Sequence, residues 1–215
     1  LEPEGIDLPG FSYYDTQNGF HIYKNDYALP MGFTFDTYVS RSQWETYSES
    51  DRCNLLLRAL VLEDDAVETY QKDMQKLPDA VHQMSDEDLL AECTERTKTA
   101  CDSFTYNSKG FHATISTDHA NLVFFSVPWE EGWSAEVNGE PVAIEKADIG
   151  FMAVPVPAGD SEITFTYHTP GLKAGALLSL GGLVLFAGYL TVAGIYNKRH
   201  PNPKTESICC VDYST

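Results

Sequence analysis

The sequence predicts a mainly β fold with a helical insertion (α+β), in which an antiparallel β-sandwich or jelly-roll-like domain precedes one transmembrane helix. Three observations predict this class. Apolar and polar residues alternate in short segments between residues 111 and 168, as they do in half-buried antiparallel strands. Helix start signals lie between residues 42 and 100. Residues 174–197 contain no charged side chain, a pattern typical of a helix that crosses a bilayer.

Composition and charge exclude several classes of protein. The 215 residues include 14 Lys and Arg against 32 Asp and Glu, a formal charge of −18. A general nucleic-acid partner is excluded, because binding the phosphate backbone requires a basic face. The hydrophobic fraction of 43% is that of a folded protein. The mean hydropathy of −0.26 is typical of a soluble chain and hides the apolar segment.

The first 110 residues are predicted to mix strands and helices. Period-2 alternation at residues 20–23 and 33–39 predicts two strands that join the main sheet system. Ser42 and Glu45 have the spacing of a capping box, and Asp51 is a candidate cap for a helix that carries Leu55 to Leu60. A further helix is expected to begin after Ser85 and to end near residue 100.

Six short strands are predicted in residues 111–170, at the 8–12-residue spacing of a β-sandwich. Asn138 and Gly139 separate two of these strands, and both residue types tolerate the positive φ of a type I′ hairpin. The strands are expected at residues 111–116, 122–127, 133–137, 142–144, 151–156 and 163–168.

Residues 172–197 are predicted to form the transmembrane helix. The 24 uncharged residues from 174 to 197 would make a helix of about 36 Å, enough for a hydrocarbon core of about 30 Å. Lys198, Arg199, His200 and Lys204 follow it, so the positive-inside rule predicts a cytoplasmic tail at 198–215 and an extracytoplasmic location for residues 1–170.

The flanking sequence and the glycines of the span suggest more than one span in the parent protein. The chain begins LEPEGIDLPG, which lacks the features of an export signal, so we expect the C-terminal part of a longer protein. Gly175 and Ser179 form a small-xxx-small pair, which permits close packing against other transmembrane helices of the same chain. Membrane lipid is the other expected partner of this segment.

Few residues point to catalysis, and we predict no catalytic, cofactor-binding or metal-binding residue. The histidines form no zinc-hydrolase motif, and His112 and His168 fall on the polar side of their strands. Cys93 and Cys101 would lie about 12 Å apart on a continuous helix, beyond the 7 Å limit for a disulfide. Free thiols are favoured, and a disulfide would require the helix to end early.

Two tryptophans lie on either side of the acidic segment Glu130-Glu131. Trp129 lies in the loop itself and is the candidate for an exposed contact with a glycan, because aromatic rings stack on sugar faces. Packing within a turn is the alternative role. Trp133 falls on the apolar side of its strand, so we expect it to be buried.

Several short motifs together resemble the YfhO family of bacterial membrane proteins. They include the turn Pro128-Trp129-x-x-Gly132-Trp133, the hairpin Asn138-Gly139, and the Pro170-Gly171 step before the span. We expect these motif residues to be structural. Upstream, the segments at residues 23–33 and 54–56 also resemble the family.

The resemblance implies a polytopic protein that resembles GT-C glycosyltransferases, enzymes that transfer sugar from a polyprenyl-phosphate carrier to cell-envelope polymers such as lipoteichoic acid. The sugar donor and the glycan acceptor would belong to the parent protein. The family's catalytic acid is expected in a first outer loop, so this chain would be non-catalytic. The alternative is a single-pass surface protein whose β-sandwich binds glycan or protein.

Overall fold

The computed structural model describes residues 10–78 and 84–200. The chain forms two compact units, one from Leu1 to His168 and one from Thr169 to Thr215. The first unit holds the strands and four short helices, and the second holds the long apolar helix. His82, Lys204, Cys209 and Cys210 lie outside the described residues.

The elements follow one another in an order that mixes helices with strands only in the first half of the chain. They are β1 (Phe11–Gln17), β2 (Phe20–Asn25), β3 (Phe33–Thr34), β4 (Thr37–Ser40), α1 (Arg41–Glu45), α2 (Glu49–Leu55), β5 (Leu60–Leu62), α3 (Asp64–Tyr70), β6 (Gln75–Lys76), α4 (Asp86–Lys98), β7 (Ser103–Asn107), β8 (Gly110–Thr117), β9 (Asn121–Pro128), β10 (Trp133–Val137), β11 (Glu140–Val142), β12 (Glu145–Ala147), β13 (Phe151–Val156), β14 (Gly159–Tyr167) and α5 (Leu172–Arg199). The predicted class, mainly β with a helical insertion and one apolar C-terminal helix, is confirmed.

The described strands form three sheets. A five-stranded sheet has the order β11-β10-β14-β8-β7 and is antiparallel throughout. A seven-stranded sheet has the order β3-β9-β13-β12-β5-β4-β6, in which β4 runs parallel to both β5 and β6. Strands β1 and β2 form a separate hairpin, so the prediction that residues 20–23 join the main sheet system was wrong. The parallel pairs were not expected from the sequence, which predicted antiparallel strands.

The first five residues of β9, in the seven-stranded sheet, are buried on both faces of the sheet. Val123 and Phe125 of β9 join a core cluster that also contains Phe165 of the five-stranded sheet, so the two sheets share one core. Leu122 and Phe124, the alternate residues of β9, join a second cluster. Side chains of α3 complete that second cluster. A strand buried on both faces needs apolar residues at every position, which explains the continuous apolar run at 122–125.

Strand pairing divides two segments that were each predicted as one strand. Residues 33–39 form β3 and β4, which pair with β9 and with β5 at distant positions of the same sheet. Residues 142–144 were predicted as one strand. Instead β11 ends at Val142 and β12 begins at Glu145, and the two belong to different sheets. The prediction was wrong because a change of sheet leaves no trace in local alternation.

Two predicted helix caps were also wrong. The cap of α1 is Ser40, whose hydroxyl accepts a hydrogen bond from the Gln43 amide, so Ser42 is already inside the helix. The cap of α2 is Ser48, and Asp51 lies in the first turn. Residue 60 lies on β5 and not on a helix. Among several neighbouring serines, the sequence alone did not identify which one begins the helix.

The cap of α4 was predicted correctly. Ser85 and Asp88 form a complete capping box, in which the serine hydroxyl accepts from the Asp88 amide and a carboxylate oxygen of Asp88 accepts from the Ser85 amide. The helix ends at Lys98, two residues before the predicted end. Cys93 and Cys101 are free thiols, as favoured from the sequence.

The second unit contains α5, a helix of 28 residues. It is long and apolar enough to cross a membrane, and its most apolar stretch is not buried within the structure. A core helix of a soluble domain would bury that surface. Gly171, with a φ of 76°, precedes the helix, so the Pro170-Gly171 step joins the last strand to α5 as predicted.

Candidate functional site

A groove lined by aromatic side chains lies at one end of the five-stranded sheet. Its volume is about 670 Å³. We call it the aromatic groove and define it by six of its lining residues: Phe104, Tyr106, Lys109, Phe111, Trp133 and Tyr167. These residues come from β7, β8, β10, β14 and the turn between β7 and β8, so sheet pairing brings together residues that are distant in sequence.

The five rings of the aromatic groove form a continuous series. The ring centroids of Tyr106 and Phe104 are 6.5 Å apart, and those of Phe104 and Phe111 are 5.3 Å apart. Trp133 then lies 5.6 Å from Phe111 and 5.0 Å from Tyr167. Offset and edge contacts at these distances stabilise aromatic pairs. The inner rings are packed against the core, whereas Tyr106 is 82% exposed.

The β7–β8 turn, which follows Tyr106 and carries Lys109, is fixed to β14. The Asn107 side chain accepts a hydrogen bond of 2.7 Å from the Lys109 amide. The Lys109 carbonyl accepts one of 2.7 Å from the Tyr167 amide. A Cβ on Gly110 would lie 1.9 Å from the Phe165 carbonyl oxygen, so only glycine permits this approach. The wall of the groove is therefore held by backbone contacts.

A tyrosine and a carboxylate form the polar part of the groove. The Tyr167 hydroxyl donates a hydrogen bond of 2.8 Å to Oε2 of Glu130. This hydrogen bond raises the pKa of Tyr167, because it stabilises the protonated phenol beside a negative charge. The bond links the end of β14 to the loop before β10.

Trp129 lies on a neighbouring surface, next to a hollow of about 350 Å³. Its side chain is 37% exposed, which confirms the predicted exposure. The Lys146 ammonium lies 5.9 Å from the centroid of the Trp129 ring, within the range of a cation–π contact. Glu131 and Ser134 line the same hollow. We call this surface the Trp129 face.

The loop that carries Trp129 is fixed at both ends. The Trp129 amide donates to the Gly150 carbonyl at 2.8 Å, and the His168 amide donates to the Gly132 carbonyl at 2.8 Å. A Cβ on Gly132 would lie 2.6 Å from the His168 carbonyl oxygen. A side chain at position 132 would therefore meet the backbone of the neighbouring segment. Pro128, the first residue of the motif, ends β9.

The two remaining predictions for this region have different outcomes. Asn138 and Gly139 have φ values of 55° and 81°, which confirms the predicted positive-φ hairpin between β10 and β11. Trp133 is only partly buried, and it packs against the core while it also lines the groove. It combines the expected packing role with a surface that was not predicted.

The histidines have ordinary surroundings. His112 lies on the exposed side of β8, as predicted, and its Nε2 is 2.8 Å from Oε1 of Glu162 on the neighbouring strand. His168 follows β14 on the surface. Within residues 10–78 and 84–200, no group of three or more His, Cys, Asp or Glu side chains could hold a metal ion.

Most of the aromatic groove was not predicted from the sequence. No strand was predicted between the helix that ends near residue 100 and the strand that begins at residue 111, whereas Ser103–Asn107 form β7 and a hairpin turn leads from it into β8. The alternation of Phe104 and Tyr106 with Thr105 is a strand signal that would have identified β7. The grouping of the five rings depends on strand pairing, which the local pattern does not reveal.

The fold therefore defines a class of protein: a β-rich domain followed directly by a helix that is long and apolar enough to cross a membrane. Residues 80–179 match the family described as Bacterial membrane protein YfhO. The chain is also 29% identical over 121 residues to the "Uncharacterized protein YfhO" of Bacillus subtilis (strain 168). These matches confirm the resemblance to this family that the sequence motifs indicate.

The matches cover only part of this chain and a small part of the Bacillus subtilis protein. The alignment with the Bacillus subtilis protein covers 56% of this chain but 13% of that protein. The family match runs from the segment before α4 through the β strands and into α5. No solved structure matches the chain. The matches therefore relate part of this chain to a bacterial membrane protein family.

Proposed function

We propose that this chain is the last extracytoplasmic domain, last span and cytoplasmic tail of a polytopic, glycosyltransferase-like membrane protein. The parent protein would transfer sugar from a polyprenyl-phosphate carrier to a cell-envelope polymer such as lipoteichoic acid. The observation that carries the proposal is the YfhO match at residues 80–179, which runs through the β domain into the apolar helix. The chain itself would be non-catalytic and would help to hold the acceptor.

The Trp129 face supports acceptor binding by its chemistry. A partly exposed indole offers a flat apolar surface to the C–H face of a sugar ring. Glu131 and Ser134 line the adjacent hollow and provide acceptor and donor groups for sugar hydroxyls. The two backbone hydrogen bonds of the loop hold the ring in place before a ligand arrives, which reduces the entropy cost of binding.

A binding experiment on the full chain in detergent micelles tests this role. Deacylated lipoteichoic acid is titrated into the protein and the heat of binding is measured by calorimetry, a readout that does not depend on Trp129. Trp129→Ala should weaken binding about tenfold, since an aromatic contact contributes about 1.5 kcal/mol beyond buried area. Trp129→Phe should retain most of the affinity. Tyr14→Ala is the matched control, because Tyr14 is an exposed aromatic residue of the separate β1–β2 hairpin.

The results distinguish a glycan contact at Trp129 from a purely structural role of this residue. Equal affinity of wild type and folded Trp129→Ala would refute the glycan contact. The wider proposal is tested in cells, where deletion of the parent protein should remove sugar substituents from the envelope polymer and re-expression should restore them. Unchanged substitution of the polymer would refute the glycosyl-transfer role.

The second candidate is a single-pass surface protein whose β domain binds glycan or protein. The exposed aromatic residues of the β1–β2 hairpin, Phe11, Tyr14 and Phe20, favour it because exposed aromatic side chains are common in binding surfaces. The reading frame upstream of this chain distinguishes the two candidates. Several apolar spans there support the polytopic protein, and a single cleavable signal supports the surface protein.

A further inference from the structure

We propose that the aromatic groove is a lipid-docking surface, which contacts the anionic headgroups and upper acyl chains of the bilayer beside α5. This inference requires α5 to cross the membrane, but it does not depend on sugar transfer. The occupant is bilayer lipid. A soluble glycan and a second copy of the chain are the competing occupants that the experiment separates.

Chain length limits the distance between Tyr167 of the groove and Leu172, the first residue of α5. Tyr167 lines the groove, and Leu172, five residues later, begins α5. Five residues of fully extended chain span at most about 18 Å. This bound follows from chain length alone. The Lys109 carbonyl accepts a hydrogen bond from the Tyr167 amide, so the turn with Tyr106 is attached to the same residue that leads into the helix.

The side chains of the groove match the chemistry of a membrane interface. Tyr and Trp are enriched at that depth, because their rings are apolar and their hydroxyl or N–H groups remain hydrated. Tyr106 is 82% exposed at the rim, and Trp133 and Tyr167 lie deeper in the same groove. A large exposed aromatic ring beside an apolar hollow indicates an interaction surface.

The charge at the rim suits an anionic lipid. Lys109 is an exposed cation in a chain of net charge −18. Among the residues that the structure describes, Lys109 makes no ion pair. The groove's carboxylate, Glu130, already accepts the Tyr167 hydroxyl. Anionic headgroups attract cations that lie within a Debye length of the surface, so Lys109 is placed to bind a headgroup phosphate.

The experiment uses the full chain in nanodiscs, with 3-fluorotyrosine as the label. Tyr→Phe variants assign the fluorine signals of Tyr106, Tyr14 and Tyr189. The discs contain phosphatidylglycerol doped with a lipid that carries a nitroxide on its headgroup or acyl chain. We expect the headgroup nitroxide to broaden Tyr106 at least threefold more than Tyr14, which is 70% exposed on the β1–β2 hairpin. The acyl-chain nitroxide should broaden Tyr189 of α5.

A charge variant tests the role of the lysine. Lys109→Gln should reduce the broadening of Tyr106 at least twofold in phosphatidylglycerol discs and leave it unchanged in phosphatidylcholine discs. Lys24→Gln, a matched loss of an exposed lysine on β2, should change neither. Equal broadening in Lys109→Gln and wild type would overturn the assignment of Lys109 to a headgroup.

Four results would overturn the proposal. One is a Tyr106 signal no broader than that of Tyr14 while Tyr189 is broadened, and another is an unaffected Tyr189, which would show that α5 is not inserted. A Tyr106 signal that responds to deacylated lipoteichoic acid in lipid-free micelles would assign the groove to a glycan. A Tyr106 signal that broadens only in discs with two chains would assign it to self-association.

Discussion

Asp148 is a buried carboxyl group in an unusual backbone position. It follows β12 with a φ of 44°, and its exposed fraction is 7%. Its amide donates to the Val61 carbonyl, and its Oδ1 accepts from the Val61 amide, both at 2.9 Å. Strands β12 and β5 share one register pair, Ala147 with Leu62. The two hydrogen bonds of Asp148 extend the pairing between these strands by one more residue. Burial raises the pKa of Asp148 to about 7, although the Val61 hydrogen bond opposes this effect.

The raised pKa of Asp148 makes stability depend on pH. The folded protein binds this proton more tightly than the unfolded chain, so the stabilisation is complete below about pH 4 and is lost as the pH rises through about 7. Asp148→Asn should remove a slope of up to about 1.4 kcal/mol per pH unit across this window. Asparagine also tolerates positive φ. Guanidinium unfolding of the full chain in detergent at several pH values measures the slope, and Asp160→Asn on the surface is the control.

Gly110 is the second residue whose identity is dictated by its neighbours. Alanine there would place its Cβ 1.9 Å from the Phe165 carbonyl oxygen, and the paired strands β8 and β14 would have to separate. We expect Gly110→Ala to lower the free energy of unfolding by about 2 kcal/mol. Gly150→Ala is the matched control, because an added Cβ there meets no atom within 4 Å. Equal stability of the two variants in a guanidinium titration would contradict the steric argument.

Among the helices, α4 is attached to the second core cluster by a buried arginine. Arg96 is 7% exposed, and its Nη1 donates a hydrogen bond of 2.8 Å to the Thr34 carbonyl on β3. Its guanidinium carbon lies 4.9 Å from the centroid of the Phe35 ring. An ion pair between Arg58 and Glu92, at 3.3 Å, adds a second contact from the same helix. The helix therefore covers the start of the seven-stranded sheet.

Truncation of Arg96 should loosen this helix. Arg96→Ala removes the bond to Thr34, the ring contact and the packing of the side-chain stem, for an expected loss of about 2 kcal/mol. Lys98→Ala is the matched control, since the exposed Lys98 pairs with Glu95 on the same helix. Hydrogen exchange of the α4 amides should accelerate in Arg96→Ala and stay unchanged in Lys98→Ala. Unchanged protection in Arg96→Ala would show that the arginine does not anchor the helix.

The elements also show how far sequence patterns reach. Most strands from β8 to β14 were predictable, because alternation and the Asn138-Gly139 hairpin are local signals. The two faces of β9 were not, since the run at 122–125 is equally apolar whichever sheet it joins. Val142 and Glu145 enter different sheets although they are three residues apart. Partner choice depends on distant residues, and the aromatic groove depends on the same pairing.

For the whole molecule, the charge pattern around α5 predicts the direction in which this helix crosses the membrane. Lys198 and Arg199 lie in the last turn of α5, whereas the chain as a whole has a formal charge of −18. Basic residues beside a span remain on the cytoplasmic side. This arrangement predicts an outer β domain, and the native cysteines provide probes for it. Cys53 is exposed in the first unit, and Cys209 belongs to the C-terminal tail.

Single-cysteine variants in intact bacteria test this orientation. A membrane-impermeant maleimide should label a variant that retains only Cys53, while a variant that retains only Cys209 should react only after the membrane is permeabilised. A variant that retains only Cys93 is the control for burial, because that thiol is buried and should stay unlabelled in both conditions. The reverse pattern, with Cys209 labelled in intact cells and Cys53 protected, would place the β domain in the cytoplasm. The proposed glycan contact at Trp129 would then be impossible, since it requires the β domain outside the cell.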